Sequence, residues 1–233
     1  DRFLRDNPGC TLVLDRPVNE DSWLASLRPY VEKLVVVVGV GHAITRTTQW
    51  IADLVLYQNA SKAYDVVPGA TVWAGAEYLL LDPFSPILRA RAGKRQGIFV
   101  YFGAGFPPNH GGEIADELSR LLPVVSVVRN WHKDQLPLLA TSRLFVGSMG
   151  MTVYEAAAVG THAVCASVDQ EHAEDAETPA LKYKVHHVGQ LKDTGPELIA
   201  IAAARAYSMP DLLQSLNTWD CMGVYRVARW LLE

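Results

Sequence analysis

Two glycine loops, each between a strand-like run and a helix-like run, are the segments of this sequence best suited to bind an anion. The first follows the run Ile98 to Tyr101 and contains Gly103 and Gly105, and the second is Gly147-Ser-Met-Gly150. Glycines after a parallel strand let backbone N–H groups approach an anion, and the start of the next helix adds a partial positive charge. The loops therefore predict a phosphate site, with a tight strand-to-helix turn as the alternative for each.

Polar side chains after these loops are candidates for contacts with the rest of a ligand. Thr152 and Glu155 have the spacing of a capping box, so Glu155 also has a purely structural interpretation. Asp169 and Gln170, which follow the strand-like run Ala163 to Cys165, could hydrogen-bond sugar hydroxyls or cap the next helix. Both interpretations stay open for each pair.

A histidine loop is the candidate source of a catalytic base. Gly41-His42 follows the most apolar run of the chain, and an imidazole can exchange protons near neutral pH. We therefore take His42 as the candidate catalytic residue. His162, His186 and His187 have no carboxylate or cysteine at ligand spacing, and the sequence assigns them no role.

The elements that must position these residues alternate between short apolar runs and amphipathic segments. The runs are rich in β-branched residues and mostly lack polar alternation, as in parallel strands covered by helices on both faces. The sequence predicts an α/β fold. The predicted strands are 11–14, 34–38, 54–56, 71–73, 98–101, 124–128, 144–146 and 163–165, and the clearest predicted helices are 114–122 and 153–159.

A basic, glycine-containing stretch, Arg89 to Gly97, is the predicted linker between two lobes. The first lobe would cover residues 1–91 and the second residues 94–233. Near the end of the chain, apolar positions predict two helices that are interrupted at Asp220-Cys-Met-Gly223.

Composition restricts the class of protein. The chain has 233 residues, of which 49% are hydrophobic, and 21 basic against 25 acidic residues give a net charge of −4. This balance excludes a disordered chain and offers no overall attraction to nucleic acid. Three well separated cysteines predict neither a disulfide nor a zinc site, so we expect a cytoplasmic protein. No DxD-like pair is found in a candidate cleft loop, so we expect no catalytic metal, and we expect no cofactor. The sequence shows no transmembrane run and no signal-peptide pattern.

The order of several motifs resembles the GT-B nucleotide-sugar proteins, in particular the UDP-sugar hydrolase of pseudaminic acid biosynthesis and spore-coat polysaccharide proteins similar to it. The resemblance covers the chain from about Leu12 to its end. The motifs that carry it are Leu12-Val-Leu-Asp15, Ala52-Asp-Leu-Val-Leu-Tyr-Gln-Asn59, Gly75-Ala-Glu-Tyr-Leu-Leu-Leu81, Phe99-Val-Tyr-Phe-Gly-Ala-Gly105, Gly150-Met-Thr-Val-Tyr-Glu155, Asp169-Gln170 and Gly223-Val-Tyr-Arg-Val-Ala228.

The resemblance implies two Rossmann-like lobes, a UDP site in the second lobe and a final helix that returns to the first. Glu155 would bind the ribose hydroxyls, Asp169 and Gln170 would face the sugar, and Trp131 and His132 would lie against the uracil. The residues implied around the diphosphate are Gly103, Ala104, Gly105, Ser148, Met149, Gly150, Met151 and Thr152.

The resemblance also implies activity on a UDP-sugar, by hydrolysis or glycosyl transfer, in cell-surface polysaccharide or nonulosonic acid synthesis. The family begins with a "GxGHxxR" loop that carries its catalytic histidine, and no such loop precedes Leu12 here. We therefore expect a shortened first lobe. By order, Gly39-Val-Gly-His42 occupies a later loop of the family, so the family's catalytic role does not transfer to His42. A non-catalytic nucleotide-sugar binding or regulatory protein is the alternative function.

Overall fold

The computed structural model describes residues 2–15, 21–40, 44–59, 65–103, 109–129, 135–178, 181, 184–209 and 219–233. Its helices are α1 (Arg2–Asp6), α2 (Asp21–Leu27), α3 (Arg46–Ile51), α4 (Ser85–Arg91), α5 (His110–Leu121), α6 (Gln135–Thr141), α7 (Met151–Val159), α8 (Gln170–Ala176), α9 (Pro196–Ser208) and α10 (Gly223–Leu232). Its strands are β1 (Cys10–Asp15), β2 (Val31–Val38), β3 (Leu54–Tyr57), β4 (Val72–Trp73), β5 (Ile98–Tyr101), β6 (Val127–Arg129), β7 (Leu144–Ser148), β8 (His162–Ser167) and β9 (Val185–Gln190).

The chain divides into two α/β units. The first unit comprises Asp1–Leu80 and Met222–Glu233, and the second comprises Leu81–Cys221. This division lies before the linker expected from the sequence, because Arg89 to Arg91 form the end of α4 rather than an extended connection. α4 packs against α7 in the second unit, and Arg95 donates hydrogen bonds to Thr161 Oγ1 and the Val159 carbonyl there.

The first unit has a parallel sheet of strand order β1-β2-β3-β4. Alternate residues of β2 are buried on opposite faces of this sheet. Leu34 and Val36 pack with Leu24 of α2 on one face, and Val35 and Val37 pack with Val227 of α10 on the other. Burial on both faces explains why β2 is apolar without alternation.

The last helix, α10, is held against the first unit by contacts at both of its ends. At its start, a Cβ on Gly223 would overlap the carbonyl oxygen of Leu79, so only glycine permits this approach. At its end, Lys33 Nζ donates to the carbonyls of Trp230 and Leu231, at 3.2 and 3.1 Å. A cation at this position also favours the negative end of the helix dipole.

The second unit has a parallel five-stranded sheet of order β6-β5-β7-β8-β9. Ile98, Val146 and Val164 on one face pack with Ile114 of α5 and Ile199 of α9. Two details differ from the sequence expectation. β6 begins at Val127 instead of Val124, whose side chain is exposed, and β9 was not predicted because its histidines and glycine interrupt the apolar pattern.

Candidate functional site

The carboxyl ends of β5 and β7 form the topological switch point of the second sheet. The chain leaves β5 for β6 on one side and then crosses to β7 on the other side of β5. Helices on both sides of such a point leave a crevice at the carboxyl ends of the two strands, where open α/β sheets bind their ligands. Among the described strands of the first unit, the consecutive order β1-β2-β3-β4 contains no such reversal.

The two glycine loops of the sequence analysis begin at this switch point and contact each other. Tyr101 pairs with Gly147 at the ends of β5 and β7, and the Gly103 N–H donates to Ser148 Oγ at 3.3 Å. A Cβ on Gly147 would overlap the Tyr101 carbonyl oxygen, so this glycine is required by the close approach of the two strands. Gly147 therefore has a structural explanation that needs no ligand.

Gly150 has a different environment, since a Cβ there would meet no atom of the described residues within 4 Å beyond its neighbours in the chain. It is the N-cap residue of α7, its φ of 173° is ordinary extended backbone, and it supplies no capping side chain. The first N–H groups of a helix have no acceptor within the helix. The N–H groups of Met151 and Thr152 are therefore available to an anion that enters the open space at Gly150. Met149, by contrast, is buried, and its N–H donates to the Ala166 carbonyl.

The structure contradicts the capping box expected for Thr152 and Glu155. α7 already begins at Met151, so Thr152 lies within the first turn, and Glu155 lies one turn further along. Glu155 therefore cannot cap the helix start. The capping interpretation of Glu155 is therefore wrong.

Glu155 is instead held by a glutamine that the sequence analysis missed. Gln135, buried at the start of α6, donates from Nε2 to Glu155 Oε2 at 2.9 Å. Burial raises the pKa of Glu155, and the charge of Asp82 raises it further. Gln135 Oε1 is buried and has no partner among the described residues. The pair places a carboxylate and an amide oxygen in one small polar cluster, which the sequence spacing of the two residues did not indicate.

Asp169 and Gln170 lie beyond the carboxyl end of β8, and both are engaged within the protein. Asp169 caps α8: its Oδ1 accepts the His172 N–H at 2.9 Å and lies 2.8 Å from His172 Nδ1. Burial raises the pKa of Asp169, but hydrogen bonds from His172 and its charge outweigh this and lower it overall. Gln170 accepts from Gln190 Nε2 at 2.8 Å. The arrangement orients the His172 imidazole near the same sheet edge as the glycine loops.

A serine, a histidine and a glutamate form a second array that sequence reasoning missed. His187 Nε2 lies 2.8 Å from Ser167 Oγ, and His187 Nδ1 lies 3.7 Å from Glu177 Oε1. Burial lowers the pKa of His187, whereas the Glu177 charge raises it. Ser167 is fully buried, so its hydroxyl links β8 to β9 instead of facing solvent. The pairing of β8 with β9 brings Ser167 and His187 together, and Glu177 comes from the C-terminal end of α8.

Other residues expected at the site lie outside the described residues. They are His42, Ala104, Gly105, Trp131 and His132. Within the described ranges, no group of three or more histidine, cysteine or acidic side chains could hold a metal ion. Nor does that part of the chain contain a helix of the length and apolarity that a membrane crossing requires.

No protein-family model and no curated protein matches the sequence. Solved structures do match. The pneumococcal O-GlcNAc transferase GtfA, in complex with UDP and GlcNAc, aligns with 99% of this chain at a TM-score of 0.53 and 12% identity. The Arabidopsis thaliana UGT89C1 complexed with UDP aligns with 91% at a TM-score of 0.53 and 12% identity. The Medicago truncatula UGT71G1 complexed with UDP-glucose aligns with 79% at a TM-score of 0.50 and 11% identity.

The fold is of the GT-B type. At these identities the matches show the fold alone, and they confirm the two α/β units expected from the sequence. The chain spans 56% of the length of the O-GlcNAc transferase, 70% of UGT89C1 and 55% of UGT71G1. Within this GT-B chain, the second unit carries the switch point, the open helix start at Gly150 and the Glu155–Gln135 pair.

Proposed function

We propose that the second unit binds UDP and that the protein acts on a UDP-sugar, by hydrolysis or by glycosyl transfer. The observation that carries this proposal is the open start of α7 at the β5–β7 switch point, one turn from the Glu155–Gln135 pair. An anion site beside a hydroxyl-binding pair fits a nucleoside diphosphate. Two of the solved structures with this fold hold UDP and a third holds UDP-glucose, which supports the choice of nucleotide.

The diphosphate would lie at the start of α7. The N–H groups of Met151 and Thr152 and the partial positive charge of the helix would neutralise it without a metal ion. Gly150 leaves room for the close approach, and Ser148 and Gly103 bound the same space. We also place Ala104 and Gly105 here, on the sequence resemblance.

The nucleoside would lie beside α6 and α7. Gln135 holds one oxygen of Glu155, which leaves the other to accept a ribose hydroxyl. Gln135 Oε1, which has no partner among the described residues, lies in the same network. Trp131 and His132, which shortly precede Gln135, are assigned to the uracil on the resemblance alone.

The sugar would lie toward Asp169 and Gln170. Hydrolysis or transfer needs a base that activates water or an acceptor hydroxyl, and donors that stabilise the departing UDP. The start of α7 supplies the donors. We propose His42 as the base on the sequence pattern. His172, whose imidazole Asp169 orients, is the second candidate for the base. Measuring the turnover of a His42 variant and of a His172 variant decides between the two. The proposed setting is cell-surface polysaccharide or nonulosonic acid synthesis.

Calorimetric titration of UDP into Glu155 variants tests the proposed site. A ribose hydrogen bond to a charged group contributes roughly 1.5–3 kcal/mol, so Glu155→Ala should weaken UDP binding about 10- to 100-fold. Glu155→Gln should weaken it less, and Gln135→Leu should also weaken it. Glu197→Gln, which changes an exposed glutamate in the first turn of α9, is the matched control and should bind as the wild type does.

The titration has two outcomes that contradict the proposal. One is no binding of UDP by the wild type, and the other is wild-type affinity for UDP in a Glu155→Ala protein whose unfolding curve is unchanged. Release of UDP from UDP-N-acetylglucosamine or another UDP-sugar would support the enzyme. Tight binding of UDP without release of UDP from any UDP-sugar would favour the alternative function, a non-catalytic nucleotide-sugar binding protein, over the enzyme.

A further inference from the structure

A cavity of about 240 Å³ lies in the second unit at the amino end of β8, away from the proposed nucleotide site. β8 runs from His162, at the cavity, to Ser167, at the carboxyl edge. Five steps of about 3.3 Å place these two ends roughly 16 Å apart. A ligand in the cavity therefore cannot touch a nucleotide at the start of α7. The residues that line the cavity are His162, His186, Ala202, Arg205, Ala206 and Met209.

The interior of the cavity is apolar and uncharged at neutral pH. Its surface is almost entirely carbon, from side chains such as Ala202, Ala206 and Met209. Burial, together with the charge of His186, lowers the pKa of His162 to about 4, so the imidazole is neutral. Water in a cavity needs two to four polar partners, which walls of this kind do not offer. The space suits the apolar body of a ligand better than a cluster of waters.

Arg205 supplies a positive charge beside the cavity. Arg205 and His186 line the cavity and are both exposed, and Arg205 lies in the last turn of α9. Because the cavity surface is almost entirely carbon, the guanidinium of Arg205 lies at its solvent side. A guanidinium presents paired N–H donors that match the two oxygens of a carboxylate. The combination of a carbon-lined interior and a guanidinium at the mouth complements a molecule with an apolar body and one anionic end.

We propose that this cavity is a binding site for a small apolar carboxylate, with its ring or branched alkyl group inside and its carboxylate on Arg205. The volume sets the size of the guest. A dry apolar cavity of roughly 150 Å³ holds benzene, so about 240 Å³ accommodates one six-membered ring with a short acidic substituent. This site is independent of the proposed function, since it uses none of the residues assigned to UDP.

Phenylacetate is the probe for the experiment, and 2-phenylethanol is the uncharged comparison. Binding is measured by calorimetry and by the shifts of the histidine side-chain resonances in NMR spectra. We expect the phenylacetate titration to shift the His162 signals and leave those of His172 unchanged. We also expect phenylacetate to bind about tenfold more tightly than 2-phenylethanol, because only the former makes a charge-assisted hydrogen bond.

Two variants separate the interior from the mouth. Ala202→Leu fills the cavity and should abolish binding of both probes, whereas Arg205→Gln should remove the preference for the carboxylate and leave weak binding of both. Arg120→Gln, which changes an exposed arginine of α5, is the control and should bind as wild type does. Circular dichroism and thermal unfolding establish that each variant is folded.

The proposal is overturned by any of three results. They are no saturable binding of phenylacetate, equal binding of the two probes by wild type, or wild-type affinity in folded Ala202→Leu. Neither the binding nor its absence depends on UDP, so a failure here leaves the nucleotide proposal standing and can be told apart from its failure.

Discussion

Replacement of His162 by phenylalanine should remove a specific part of the acid sensitivity of the protein. His162 is 5% exposed, and neither ring nitrogen has a partner in the described part of the chain. Burial lowers its pKa from 6.5 to about 4, so the unfolded chain binds a proton more readily than the folded one between these values. Stability from the neutral imidazole is therefore present above pH 6.5 and is lost as the pH falls toward 4.

The size of the effect follows from these pKa values. The lowering of the pKa from 6.5 to about 4 corresponds to about 3 kcal/mol over the whole window, of which about 2 kcal/mol falls between pH 7 and pH 5. His162→Phe keeps a planar ring of similar size but has no titratable group. The variant should therefore lose about 2 kcal/mol less than wild type over this pH range.

Urea unfolding followed by circular dichroism at pH 7 and pH 5 measures the difference. His186→Gln is the comparison variant: it removes the smaller cause of the lowered His162 pKa, and burial, the larger cause, should keep most of the His162 contribution in place. If wild type and His162→Phe lose equal stability between the two pH values, His162 does not titrate as a buried, unpartnered imidazole, and the reasoning is refuted. The same holds if His186→Gln removes the whole effect.

Three further predictions concern the glycines of the second loop, His42 and the cap of α8. Gly147→Ala should destabilise the protein because its Cβ would overlap a β5 carbonyl, whereas Gly150→Ala should leave stability unchanged and weaken UDP binding; equal effects in urea unfolding would contradict this. His42→Ala should lower turnover about 10²- to 10⁴-fold with little change in UDP affinity if His42 is the base, and wild-type turnover would exclude that role. Asp169→Ala should cost about 1 kcal/mol of stability through loss of the α8 cap, and an unchanged unfolding midpoint would argue against the cap.

Much of the architecture of the second unit was predictable because its signals are local. β5, β7 and β8 are short apolar runs buried on both faces, and the glycines after β5 and β7 mark where these strands end. β9 escaped prediction because its sequence, Val185-His-His-Val-Gly-Gln190, lacks a continuous apolar run. β9 joins the sheet by pairing with β8, and the residue pattern of β9 alone does not indicate this pairing.

The sequence by itself determined the α/β class, the order of the strands along the chain and the position of the second glycine loop before a helix. Each of these features is indicated by residues that are close together in the sequence, within one strand or one helical turn. Whether Glu155 caps that helix depended on the residue at which α7 begins. In the structure β7 ends at Ser148, Gly150 is the N-cap residue, and α7 begins at Met151. The partners of Glu155 and His187 are 20 residues or fewer away in sequence but lie on other elements. The packing of α6 on α7 and the register of β8 on β9 bring these side chains within hydrogen-bonding distance. The local sequence pattern of one element does not indicate which other element it will contact, so only the tertiary structure shows these hydrogen bonds.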